Sequence, residues 1–202
     1  MFIDRIKGHD YIDATRKYLD YLEEHLNNVR VAHSHLSNAC KDMWWTTDDF
    51  FWHTLLNDVK HHDLSKFSEN EFVQYRKHFY PIDGEIPSDF DSAWENHKRE
   101  NHHHWETVSD EYDLVHMIID WTAMSYKFGG SAQSYYEKNA ATIHISDYHK
   151  KYMYEIFEKI AEYEKNQGWY EYKCSQQKPT APVEALFYWR EKLSEEEVNP
   201  YD

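Results

Sequence analysis

The stretch Tyr18-Leu-Asp-Tyr-Leu-Glu-Glu-His25-Leu-Asn-Asn-Val29 decides the fold, because its apolar residues return at steps of three and four and never alternate. Tyr18, Leu19, Leu22, Leu26 and Val29 fall on one helical face, and Leu36 and Cys40 extend it, so the spacing predicts one long helix from Tyr11 to about Met43. A half-buried strand would need a period of two. Outward from this stretch the chain keeps the same texture. A second helix is expected from the Thr47-Asp48 cap, with Phe51, Leu55, Val59 and His62 on its inward stripe. Ser68-Glu69-Asn70-Glu71 has the form of a capping box opening a third helix, whose stripe is Phe72, Tyr75 and Phe79. Pro81, Gly84 and Pro87 mark a loop, and a fourth helix begins near Ser88. A fifth spans Ser109 to Phe128 and stops at Gly129-Gly130, and two more cover Ser131 to Asn139 and Asp147 to Asn166. With no repeat and no convincing strand, the expectation is an all-α bundle forming a single domain over residues 1–202.

Composition narrows the functions open to such a bundle. Lys plus Arg number 22 against 37 Asp plus Glu, and the resulting net charge of −15 disfavours duplex nucleic acid or an anionic membrane as partner. No run approaches the roughly 18 apolar residues that a membrane span requires, and no signal-like stretch opens the chain. Two cysteines, Cys40 and Cys174, are too few for a disulfide framework and read as core fillers in a reducing, cytoplasmic setting. Fifteen histidines, by contrast, exceed what packing needs.

The chemistry concentrates in His61-His62-Asp63-Leu64-Ser65-Lys66, where an imidazole and a carboxylate stand side by side at the end of a helical segment. Neutral imidazole and carboxylate together suit a divalent metal. Asp120 lies in the apolar run Met117-Ile118-Ile119-Asp120-Trp121, where an ionised carboxylate is costly unless paired or metal-bound. His116, one turn earlier, is placed for a supporting hydrogen bond or a second-metal contact. The first helix offers His25, His33 and His35. At about 100° per residue His33 is central on the apolar stripe, with His25 at its flank. Eight residues span about 12 Å of helix, so His25 and His33 do not both reach one ion. On a regular fourth helix His97, Asn101 and His104 share a face with Trp94, while His102 and His103 point elsewhere. Lys66 is placed to meet a substrate phosphate, with a solvated helix-end lysine as the plainer alternative.

These residues resemble the HD-domain superfamily, whose helical members hold metal with a histidine, an adjacent His-Asp pair and a distant Asp. More closely, the chain is similar to an HD-like family common in bacteriophages and their hosts. The resemblance rests on His25-Leu-Asn-Asn-Val29, His62-Asp63-Leu-Ser-Lys66-Phe-Ser with Glu71-Phe72, Ala93-Trp94 with His97, Asn101-His-His-His104-Trp105, and Ile119-Asp120-Trp121 followed by Tyr135-Tyr136-Glu137-Lys138-Asn139. It covers about residues 10–165 and leaves 166–202 as an extension. It implies His25, rather than the His33 that helical phase selects, as the first ligand. The Asp42 to Asp49 stretch reads as an insertion before the His-Asp pair.

The resemblance implies a helical bundle around one or two divalent ions, manganese, iron, cobalt, nickel or zinc, held by His25, His62, Asp63, Asp120, His97 and His104. The expected activity is metal-dependent hydrolysis of a nucleotide or related small phosphate ester, with Asp63 or Asp120 orienting water, Lys66 binding phosphate and Asn101 contacting substrate. A di-iron oxygenase and a non-enzymatic phage or host interaction protein are the alternatives, the last carrying an apolar patch at Phe187, Tyr188 and Trp189.

Overall fold

A computed structural model describes residues 2–169. Among these residues there are seven α-helices and no strand: α1 Phe2–Ala39, α2 Asp49–Lys60, α3 Phe72–Phe79, α4 Phe90–Glu100, α5 Glu111–Phe128, α6 Ala132–Asn139 and α7 Asp147–Asn166. Short 3-10 turns lie at Trp44–Thr46 and Leu64–Phe67. None of the described helices is long and apolar enough to cross a membrane. The Val183 to Leu193 segment, the Phe187-Tyr188-Trp189 patch and Cys174 lie outside the described residues.

Helix α5 is the axis of the bundle. Leu114, Val115, Met117, Ile118 and Ile119 are all fully buried, as is Ala123, so this helix is apolar around its circumference and has to be central. Helices α1, α2, α6 and α7 pack on it. Helix α1 buries Tyr18, Leu22, Val29, Ala32 and Leu36, the stripe expected from its period, and runs across both core clusters. The larger cluster is built on Val29, Leu36, Leu55 and α5. The smaller joins Tyr18 and Leu22 to Tyr75, Phe90 and Ala93. His25 therefore sits on α1 at the seam between them.

Local capping explains most of the boundaries. Asp48 accepts from the Phe51 backbone N–H at 2.8 Å, Asp110 from Asp113 at 3.0 Å and Ser146 from His149 at 3.1 Å. Gly129, at φ 85°, ends α5 in a backbone region that an L side chain resists. Three expectations need correction. Helix α1 ends at Ala39 rather than Met43 and begins earlier than its apolar stripe. Helix α2 ends at Lys60, so His62 lies in the turn beyond it rather than on its stripe. Ser68 to Glu71 is not a capping box: α3 begins at Phe72 without a side-chain cap, and Glu71 points into the protein.

The central place of α5 predicts that Ile118→Ala costs about 2–5 kcal/mol in denaturant unfolding, the range for a buried large-to-small change. A loss below about 1 kcal/mol would show that α5 is not the packed axis.

Candidate metal centre

The backbone does something unusual where the His-Asp pair stands. His61 caps α2, and Asp63 then takes φ 57°, ψ 19°, the one left-handed non-glycine residue among those described. Aspartate tolerates this region better than most side chains, yet a conformation so sparsely populated is kept only where its surroundings enforce it. The turn buries His62 and Asp63 together and aims them at α1 and α5.

There they meet His25 and Asp120. His25 Nε2 is 3.1 Å from His62 Nε2, 3.2 Å from Asp63 Oδ2 and 3.3 Å from Asp120 Oδ1. His62 Nε2 is 3.5 Å from Asp63 Oδ2 and 3.4 Å from Asp120 Oδ1. An ion about 2.1 Å from its ligands, the usual range for imidazole nitrogen and carboxylate oxygen on zinc, separates adjacent ligands by about 3.0–3.4 Å. His25, His62 and Asp63, from α1 and the turn after α2, are thus spaced as one ion requires, and Asp120 on α5 stands within 3.4 Å of both imidazoles. Asp120, with its side chain 14% exposed, is the member that reaches solvent.

A second set faces the other oxygen of Asp63. Asp63 Oδ1 is 3.2 Å from His97 Nε2 and 3.4 Å from His103 Nε2, close enough for an ion pair but unaligned for a hydrogen bond. The donor atoms of His97, His103 and His104 lie within 4.8 Å of one another. Asp63 Oδ1 and the Nε2 atoms of all three histidines are buried without a hydrogen-bond partner. Buried polar atoms are normally satisfied, so Asp63 Oδ1 with the His97 and His103 nitrogens beside it, and His104 next to those two rings, fits a cation. The residues present would hold metal on either side of Asp63, and His62, His103 and His116 form a further group of neighbouring donor atoms between the two sets.

Electrostatics divides the group: burial lowers His25 and His97, but the carboxylates beside them, Asp120 and Asp63 at His25 and Asp63 and Glu71 at His97, outweigh it and raise both. Burial raises the Asp63 carboxyl, but His62, Lys66 and His97 outweigh it and hold the group well below the ordinary carboxylate range. Asp120 is likewise raised by burial and then carried well below that range by hydrogen bonds from His25 and His62. Burial, with His62 beside it, lowers His103 to about 4, and burial also keeps His104 and His116 well below their usual value. These imidazoles are neutral at pH 7 and keep a lone pair available.

The structure separates the histidines in a way that helical phase could not. His25 belongs to the first set, whereas His33 is stacked on Trp52 at 5.0 Å, apart from the cluster, where burial lowers its pKa. Helix α4 ends at Glu100, so His104 does not share a helical stripe with His97. The chain instead runs through the irregular stretch 101–103, which turns His103 inward and leaves His102 exposed. His103 is the ligand candidate that regular helical counting turned away, and only the consecutive histidines hinted at it. His116 Nε2 lies 3.0 Å from His62 Nδ1, the supporting contact its position suggested. A proton on His62 Nδ1, donated to His116, leaves His62 Nε2 free.

Lys66 and Asn101 are both engaged within the site. Lys66 Nζ donates to Asp63 Oδ2 at 2.6 Å and lies over the Tyr75 ring, 5.4 Å from its centroid. Asn101 Nδ2 donates to the His97 carbonyl at 2.8 Å and to Ser65 Oγ at 2.7 Å, holding the end of α4 against the Leu64–Phe67 turn. Glu71, read from sequence as a cap, accepts at 2.9 Å from His97 Nδ1.

Two substitutions test the assignment. His25→Gln is expected to lose the metal of the first set, measured by elemental analysis after dialysis, while His33→Gln keeps it; the reverse pattern would move the first ligand one stripe along α1. Asp63→Asn preserves shape and tolerance of the left-handed turn but removes the bridging charge, and should lose metal without losing helical circular dichroism. Full occupancy in Asp63→Asn would refute the centre.

No curated protein and no solved structure matches the chain. Residues 14–167, the span that holds every residue of both donor sets, match a family described as "Family of unknown function (DUF5662)". The chain belongs to that family.

Proposed function

We propose that this protein is a metal-dependent phosphohydrolase acting on a nucleotide or a related small phosphate ester. The observation that carries the reading is Asp63, buried and facing one set of donors with each of its oxygens. Asp63, Asp120 and Glu71 place three carboxylates against the single cation Lys66, so the protein groups alone are acidic and repel phosphate. One divalent ion brings this set to neutrality, and two turn it positive. Two ions of manganese, cobalt, nickel, zinc or iron supply Lewis-acid polarisation of a phosphoryl oxygen and a nucleophile from water at neutral pH.

The chain's own residues do the rest. Asp120, the partly exposed carboxylate of the first set, is placed to accept a proton from the attacking water and to orient it. Lys66 spends one of its three N–H donors on Asp63, which fixes that carboxylate, and directs the remaining positive charge toward a bound phosphate. Burial of His62, Asp63 and His97 keeps bulk water from screening these charges. The order His25, His62-Asp63, Asp120 is also the one the HD-domain resemblance implied.

A second reading, a di-iron oxygenase, draws support from the three imidazoles on the Oδ1 side, a donor set that iron accepts. Metal content separates the two. Protein purified without chelator and carrying two ions other than iron should release phosphate or pyrophosphate from a panel of nucleoside mono-, di- and triphosphates and cyclic nucleotides. Asp63→Asn should be inactive on the same panel. Two iron atoms per chain with no phosphate release would favour the oxygenase, and silence with any other verified pair of ions would sink the hydrolase.

A further inference from the structure

We infer that Glu71 is a positioning residue that sets the occupancy of the second ion, by holding the His97 ring with its Nε2 lone pair toward Asp63. This rests on the two-ion reading above. Glu71 is fully buried, 0% exposed, and its carboxylate is completely engaged. Oε2 accepts from His97 Nδ1 at 2.9 Å and from Ser65 Oγ at 3.0 Å, and Oε1 accepts from Asn96 Nδ2 at 2.7 Å. Asn96 Oδ1 in turn accepts from Arg99. No lysine or arginine among the described residues pairs directly with Glu71; its one ion-pair partner is His97.

Three groups approach His97 Nδ1: Glu71 Oε2 at 2.9 Å, with Ser65 Oγ and Asn101 Nδ2 each at 3.1 Å. A carboxylate can only accept, so Nδ1 carries the proton, and Asn101 Nδ2 is left to the His97 carbonyl and Ser65. The opposite nitrogen, Nε2, then faces Asp63 Oδ1 at 3.2 Å, with neither atom hydrogen-bonded. A metal ion between them would engage both atoms, provided Nε2 is the unprotonated nitrogen. It also balances Glu71, whose charge reaches the ion through the imidazole.

The two ions are thereby matched in charge by different routes. The first has two carboxylates in direct reach, Asp63 and Asp120, and its His62 is backed by the neutral imidazole of His116. The second has Asp63 alone in direct reach among three histidines, and its second carboxylate, Glu71, stands one ring away behind His97. Glu71→Gln removes that charge and substitutes an amide that can either donate to or accept from Nδ1, so the ring is no longer fixed.

Manganese titration of the metal-free chain, followed by calorimetry and electron paramagnetic resonance, tests this. Wild type is expected to take two ions and give a spin-coupled pair. Glu71→Gln should keep the first ion within about twofold, weaken the second by about 10- to 100-fold, and give the signal of isolated manganese; His97→Gln should lose the same ion. Equal second-ion affinity in Glu71→Gln and wild type overturns the inference and leaves the two-ion reading standing, whereas a single ion in wild type overturns both. If Glu71→Gln does not fold, nitrogen-15 spectra of zinc-loaded wild type decide instead. A proton on His97 Nδ1 supports the assignment, and a proton on Nε2 overturns it.

Discussion

Asp63 is the constraint on which the rest of this protein depends. A buried carboxylate with one oxygen unpaired, held in a left-handed turn, is among the more expensive things a small bundle can contain. It is tolerated because every element around it answers its charge: His25 from α1, His62 and Lys66 from its own turn, His97 and His103 from α4 and the segment after it. The helices are arranged so that these groups arrive together. Helix α1 must run long and straight enough to bridge two apolar clusters, because the histidine it contributes sits between them.

The polar interior has layers, and each sets the orientation of the one inside it. Imidazoles that face Asp63 with one nitrogen are held on the other side, His62 by His116 and His97 by Glu71. Behind Glu71 lie Asn96 and Ser65, and Asn101 ties Ser65 to the end of α4. A network of this kind is stable only if nearly all its members are satisfied, since an unpaired polar group in a low dielectric is costly. Of the buried side-chain atoms left without a partner, Asp63 Oδ1 and the Nε2 atoms of His97 and His103 lie together, while others, such as Tyr18 Oη and Trp45 Nε1, are spread through the core. The group at Asp63 differs from the rest in joining a carboxylate oxygen to imidazole nitrogens, the donor types a metal accepts.

A polar centre of this size needs a rigid apolar frame, and α5 supplies it. Its buried residues surround the helix on all sides, so Asp120 and His116 are carried on an element with little freedom to shift. The same rigidity explains why an acidic chain can gather buried carboxylates near one point without opening. The cost of holding them is spread over the core that α1, α2, α6 and α7 build on α5.

The sequence by itself determined the helices and, of the first donor set, His62, Asp63 and Asp120. Apolar steps of three and four, caps at Asp48, Asp110 and Ser146, and breakers at Gly129-Gly130 are local signals, and local backbone energetics acts on them directly. The cost of an ionised Asp120 in an apolar run, and the adjacency of His62 and Asp63, are equally local and pointed to the first donor set. Helical phase could not decide which histidine of α1 meets the His-Asp pair: it favoured His33, the family resemblance His25, and the bundle buries both but packs His33 on Trp52 and sets His25 against Asp63. Tertiary structure alone decided that His103 faces Asp63, because α4 ends at Glu100 and irregular backbone has no period to extrapolate. It also made Glu71 a buried partner of His97 rather than a helix cap, since that role depends on a contact 26 residues away in the chain, which no local pattern encodes.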